Sequence, residues 1–119
     1  MPAWTDVVAA GRALPEVEEG TWFRTPSLRV RKKSFCRMRE DGETLVIRVV
    51  DLEDKEALLR SDPDVYYTTP HYDGYAYVLV RLAKADPAQL AELIEDAWRI
   101  SAPKRLVSAL DARRSTPGR

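Results

Sequence analysis

The sequence predicts one α+β domain in which helices cover one face of a mainly antiparallel sheet, in the order α–ββββ–α–ββ–αα. Three observations support this prediction. Residues 21–50 alternate between apolar and polar types, residues 87–99 follow a helical period, and isolated Gly and Pro residues separate the segments without forming a linker. With 119 residues, of which 45% are apolar, the chain is long enough for one buried core.

The first 20 residues predict a helix followed by a loop. Val7, Gly11 and Leu14 recur at helical spacing, which predicts a first helix at Thr5–Leu14. Pro15 is expected to end it. The acidic stretch from position 15 to position 20 is interpreted as a loop.

Residues 21–50 predict three to four antiparallel strands. Alternation places Leu28 and Val30 on one face of a strand and their neighbours on the other. Pro26 is expected to interrupt the β-prone run before them. The Asp41-Gly42 pair lies between β-prone runs at 33–39 and 44–50 and predicts a hairpin.

The second half predicts a helix, two strands and two further helices. Asp51 is a predicted cap for a helix at 52–60, and strands are predicted at 65–69 and 75–82. Asp86 and Pro87 are typical of a helix start, and the apolar residues that follow them recur at positions i, i+3, i+4, i+7 and i+8. The last helix is predicted at Lys104–Arg113. We expect one domain at 1–113 and a flexible tail at 114–119.

Several function classes find no support in the sequence. The longest apolar runs are a few residues, so no membrane span is predicted, and the N-terminus lacks the pattern of a secretory signal. A cytoplasmic monomer is therefore expected. One histidine and one cysteine provide no metal-ligand spacing, and the glycines are too isolated for a phosphate-binding loop. We expect Cys36 in the core and predict no metal, no cofactor and no catalytic activity.

The formal net charge is zero, but the charges are unevenly distributed. Residues 21–50 hold eight Lys or Arg and three Asp or Glu, whereas residues 51–98 hold four and eleven. Strand parity places Arg29 with Arg31, and Arg37 with Arg39, on one face, while Lys32 and Lys33 fall at a turn. An exposed basic hairpin of this kind can bind nucleic-acid phosphates. The predicted contacts are Arg29, Arg31, Lys32, Lys33, Arg37 and Arg39, with Lys104 and Arg105 extending the surface. Solvated residues that discourage edge pairing would give the same pattern.

A second candidate site is the turn at residues 70–74. His71 and Asp73 are two positions apart, and Tyr72 and Tyr75 lie beside them. A carboxylate can orient an imidazole, and the tyrosines can line a groove for a small ligand or a protein partner. Alternatively, the histidine bonds the backbone and the tyrosines are core residues. A pocket near Tyr72 would favour the binding site.

Three stretches, 25–30 (TPSLRV), 62–75 (DPDVYYTTPHYDGY) and 97–106 (AWRISAPKRL), resemble the MmcQ/YjbR family. The resemblance extends over roughly residues 5–110. It implies a double-wing domain similar to the DNA-binding domain of a phage transcription factor, and family members are commonly called DNA-binding because of that analogy. It supplies no catalytic residues. The chain departs mildly from the family pattern at Ser27 and Leu28, which affects packing more than function.

Overall fold

The computed structural model describes residues 2–115, and its element order is the predicted one. The helices are α1 (Trp4–Arg12), α2 (Leu52–Ser61), α3 (Pro87–Ser101) and α4 (Lys104–Ser115). The strands are β1 (Val17–Trp22), β2 (Thr25–Val30), β3 (Lys33–Met38), β4 (Thr44–Arg48), β5 (Tyr66–Tyr67) and β6 (Tyr77–Arg81). A single 3₁₀ turn at Leu82–Lys84 leads from β6 towards α3.

The six strands form one sheet in the order β1-β2-β3-β4-β6-β5, and every neighbouring pair is antiparallel. Helix α3 lies across β2, β3 and β4, and α1 packs beside it. This arrangement confirms the predicted α+β fold class. Local signals placed most of these elements: Asp51 and Asp86 both cap their helices by accepting a backbone N–H three residues later.

The prediction of an acidic loop at residues 15–20 is wrong, because this stretch forms strand β1. Glu18 lies opposite Arg29 in the β1–β2 register, and the two side chains form an ion pair at 3.8 Å. Such pairs between opposite charges on adjacent strands favour the extended conformation.

The prediction that Pro26 interrupts the β-prone run is also wrong, because Pro26 lies within β2. It is tolerated there because the pairing of β2 with β3 begins one residue later, at Ser27.

The core fills the space between α3 and the sheet. Ile94 and Trp98 are fully buried, and the Trp98 indole N–H donates to the carbonyl of Pro15 at 3.0 Å. Cys36 is buried as expected, and burial raises the pKa of its thiol to about 12, so it is held in the neutral form.

The last helix extends two residues past its predicted end at Arg113. Arg114 in this extension donates to Glu95 of α3 at 2.8 Å, and the same carboxylate accepts from Arg99 at 3.0 Å. These contacts tie α4 to α3. The remainder of the predicted tail, 116–119, lies outside the described residues.

The contribution of the Asp86 cap of α3 to stability can be tested by mutation. Replacing Asp86 by Ala removes the acceptor for the Gln89 N–H and should lower the free energy of unfolding by about 1 kcal/mol. Asp86→Asn keeps an acceptor at the same position and should cost much less. Urea denaturation of both variants measures the difference; equal losses would contradict the capping role.

Candidate functional site

The face of the sheet opposite α3 carries a row of side chains that crosses four strands. Ser27, Arg37, Val46 and Leu79 are register partners in β2, β3, β4 and β6. All four are buried, and neither Val46 nor Leu79 belongs to the core cluster beneath α3. Two segments rise over this face: the turn that joins β1 to β2, and the loop between β5 and β6 at residues 68–76.

A cleft of about 360 Å³ opens between these two segments. The residues that line it are Trp22, Phe23, Arg37, Val46, His71, Tyr72, Tyr75 and Tyr77. We call it the aromatic cleft. It lies at the turn that the sequence singled out, and His71, Tyr72 and Tyr75 all line it.

Five rings form a continuous wall of the aromatic cleft. Trp22 lies 5.2 Å from Phe23 and 6.2 Å from Tyr77, measured between ring centroids. Tyr72 lies 6.2 Å from Tyr77 and meets His71 edge-on at 4.8 Å. These separations are those of mutually stabilising aromatic pairs. At the rim, Phe23 and Tyr75 leave 67% and 62% of their surface exposed to solvent.

Arg37 lies at the floor of the cleft. Its Nη1 donates to Thr25 Oγ1 at 3.2 Å and to the Met38 carbonyl at 3.1 Å, and its Nη2 donates to the Tyr72 hydroxyl at 2.8 Å. The guanidinium also lies 5.2 Å from the centre of the Phe23 ring. Arg37 thus contacts both segments that form the cleft.

The prediction that Arg37 belongs to an exposed basic face is wrong, since the residue is only 7% exposed. Parity had placed it on the correct face of the strand. That face is covered by the loop at 68–76, whose Tyr72 lies 35 residues away in the chain. Arg39, two residues along the strand, is less buried and lies 3.5 Å from the Tyr67 hydroxyl.

Lys55 of α2 is a second buried cation that holds the β5–β6 loop. Its ammonium donates to the carbonyls of Tyr72 at 2.6 Å and Tyr75 at 2.9 Å, and the residue is only 4% exposed. Burial lowers the pKa of Lys55, and the nearby charge of Asp73 partly opposes that shift. Asp73 itself accepts from Thr68 at 3.4 Å, and among the described residues no hydrogen bond joins it to His71.

Three other predicted basic residues lie at the β2–β3 turn, and none of them lines the cleft. Arg31 and Lys32 occupy the β2–β3 turn with φ of 49° and 71°, and Lys33 begins β3. Arg31 is paired with Glu16, and its hydrogen bond lowers the pKa of that carboxyl. The charge of Arg105 lowers it further. We call Arg31, Lys32, Lys33, Lys104 and Arg105, which are all exposed, the basic end.

Comparison with known proteins agrees with this fold. The family described as YjbR matches residues 12–100. The chain belongs to the YjbR family. It is 52% identical to the uncharacterized proteins Rv2570 of Mycobacterium tuberculosis (strain ATCC 25618 / H37Rv) and Mb2600 of Mycobacterium bovis, with 92% of this chain and 95% of each relative covered.

A solved structure supports the fold of this YjbR-family domain. Protein DR2400 of Deinococcus radiodurans, described as a DUF419 domain, superposes with a TM-score of 0.67 at 23% identity. The match covers 82% of this chain and 77% of that one. The resemblance that the sequence showed is thereby confirmed, and the function has to be argued from the site.

Metal and membrane sites find no support in the part of the chain that the structure describes. Residues 2–115 contain no cluster of three or more His, Cys, Asp or Glu side chains arranged to hold a metal ion. None of the described helices has the length and apolar character needed to cross a membrane.

Three residues of the site were not among the predicted site residues. Lys55 lies in a helix of mixed charge, where a lysine is ordinarily solvated, and nothing in its neighbourhood marks it as buried. Trp22 and Phe23 belong to the β-prone run before Pro26, yet Phe23 has a positive φ of 53° that turns the chain towards the cleft. Both roles depend on partners distant in the sequence.

Lys55 tests how the β5–β6 loop is held. Lys55→Met keeps the length of the side chain but removes both hydrogen bonds, so we expect unfolding to become easier by about 2 kcal/mol. Hydrogen exchange of the backbone amides of residues 72–75 should also become faster. The increase should be larger than the loss of unfolding free energy of the whole domain explains. Lys84→Met, at an exposed position, should change neither quantity. Unaltered exchange in Lys55→Met would show that the loop is held by other contacts.

Proposed function

We propose that this YjbR-family domain binds a small ligand containing a planar ring in the aromatic cleft. The observation that carries the proposal is the cleft itself: aromatic walls above a single buried guanidinium, in a volume of about 360 Å³. Small-molecule sites typically have about 300–1,000 Å³, with apolar walls and few polar groups that fix orientation.

The walls of the cleft are held in place without a ligand. Arg37 bonds to Thr25 at the start of β2 and to Tyr72 in the β5–β6 loop, so one side chain ties both walls to the sheet. Lys55 fixes the same loop through two backbone carbonyls. A preformed site loses less conformational entropy when it binds, which favours affinity for a small molecule.

The rim supports the same proposal. Phe23 and Tyr75 are two of the large hydrophobic residues that remain exposed, and both line the cleft. Exposed apolar groups that converge on one concavity are typical of binding sites, because a ligand removes their surface from water.

The proposal is tested with a neutral ring probe, 2-naphthalenemethanol, titrated into the labelled protein and followed by amide chemical shifts. We expect shifts concentrated at residues 22–23 and 71–77. Phe23→Ala should weaken binding about 3- to 10-fold, since an aromatic pair contributes about 0.5–1.5 kcal/mol. Leu52→Ala, an exposed apolar residue that does not line the cleft, is the matched control. Equal effects of both variants on binding, or shifts that lie away from residues 22–23 and 71–77, would contradict the proposal.

A second candidate function is contact with the nucleic-acid backbone through the basic end. The observation that favours it is the exposure of Lys32 and Lys33 side by side at the β2–β3 turn, with Arg105 also exposed at the start of α4. Such side chains can neutralise phosphates and release counterions. Arg29 and Arg31 contribute less in this arrangement, because each is already paired with a glutamate of the first strand region. Arg37 is buried in the cleft.

Fluorescence anisotropy with a random-sequence duplex at about 50 and 200 mM salt tests this second function. Phosphate contacts predict binding that weakens steeply as salt rises. Lys33→Glu should reduce the affinity more than Lys84→Glu, which changes the net charge equally at an exposed position away from the basic end. The same loss in both variants would indicate a response to net charge alone, and no binding at the lower salt would exclude the backbone contact.

A further inference from the structure

We propose that the ligand of the aromatic cleft is an aromatic carboxylate, bound through its carboxylate to Arg37 and through its ring to the aromatic walls. This inference rests on the proposed function and specifies its ligand class. It starts from the hydrogen-bonding capacity that remains at the floor of the cleft.

The guanidinium of Arg37 has N–H donors that make no hydrogen bond to the described residues. A guanidinium has five N–H groups, and three of those of Arg37 donate to Thr25, Met38 and Tyr72. Among the described residues, no partner takes its Nε–H or the second N–H of Nη2. Planar guanidinium groups present their donors in pairs that match the two oxygens of a carboxylate.

The Tyr72 hydroxyl adds a third donor at the same place. Its oxygen accepts from Arg37 Nη2 at 2.8 Å, so its own hydrogen remains available to a ligand. Two N–H groups of Arg37 and the O–H group of Tyr72 therefore have no partner among the described residues, and both side chains line the cleft. A floor made of donors favours a ligand group that only accepts, which an ionised carboxylate does.

The charge of Arg37 also favours an anionic ligand. Arg37 is buried among neutral hydrogen-bond partners, and the one carboxylate paired with it among residues 2–115, Glu40, is 3.6 Å from Nη1 with 71% of its side chain exposed to water. A solvated carboxylate compensates a buried cation weakly. Nη1 is also the nitrogen already occupied by Thr25 and Met38, so Glu40 leaves the remaining donors free. An anion in the cleft would supply the missing counter-charge.

A carboxylate fits this floor better than a phosphate. Arg37 is the single strongly basic side chain that lines the cleft, and it has two N–H groups left. A carboxylate has one charge and two oxygens. A phosphate monoester would place an additional charge and an additional oxygen against aromatic rings, where unpaired charge is costly.

Four probes separate the contribution of the ring to binding affinity from that of the charge. Each is titrated into the protein at neutral pH, and binding is followed by calorimetry or by amide chemical shifts. The probes are 2-naphthoate, its neutral analogue 2-naphthalenemethanol, cyclohexanecarboxylate and 2-naphthyl phosphate. We expect 2-naphthoate to bind about 10-fold or more tightly than each of the others. Arg37→Gln should abolish the preference of 2-naphthoate over 2-naphthalenemethanol. Arg39→Gln, which alters the next side chain on the same strand face but does not line the cleft, should preserve it.

Tyr72→Phe provides a second test that does not depend on replacing a buried cation. It keeps the ring and removes only the hydroxyl, so it should weaken 2-naphthoate about 3- to 10-fold and leave 2-naphthalenemethanol unchanged. Equal binding of 2-naphthoate and 2-naphthalenemethanol would overturn the carboxylate and leave the ring site standing. Tighter binding of the phosphate would overturn the choice of anion. Failure of every ring probe to bind would overturn the proposed function and this inference with it.

Discussion

The hydrogen bond between Arg37 and Tyr72 is one of the contacts, together with those of Lys55, that hold the wall of the aromatic cleft over the sheet. It joins the centre of the sheet to a loop that has no regular secondary structure between β5 and β6. The loop stands over the sheet and leaves a cleft beside the β1–β2 turn.

The free-energy cost of burying the charge of Arg37 explains why hydrogen-bond acceptors surround its guanidinium. A cation removed from water must recover hydrogen bonds from the protein, and Thr25, Met38 and Tyr72 supply three. Lys55 meets the same requirement with two carbonyls of the loop. Two buried cations, one from a strand and one from a helix, thus hold a single loop, and both of them bond to Tyr72. Such directional contacts fix a loop more narrowly than apolar packing does.

The structure places the two candidate sites apart, which the sequence could not do. The basic residues of 21–50 form one run in the chain, but the structure divides them between the cleft, the basic end and ion pairs on the strands. The chain belongs to the YjbR family, is 52% identical to the mycobacterial proteins and shares its fold with DR2400. A shared fold does not determine a ligand, and the side chains of the cleft are what would select one.

The sequence by itself determined the element order, the hairpin at Asp41-Gly42 and the caps at Asp51 and Asp86. In each case the stabilising contact joins residues within about four positions, so a short stretch contains both partners. The family resemblance was also visible in short stretches of sequence. The tertiary structure alone decided that residues 17–22 form a strand, that Arg37 is buried and that Lys55 supports the cleft. Thr25 and Tyr72 lie 12 and 35 residues from Arg37, and Tyr72 lies 17 residues from Lys55, while residues 17–22 become a strand by pairing with β2 up to 13 residues away. Pairings of this kind are set by packing of the whole domain.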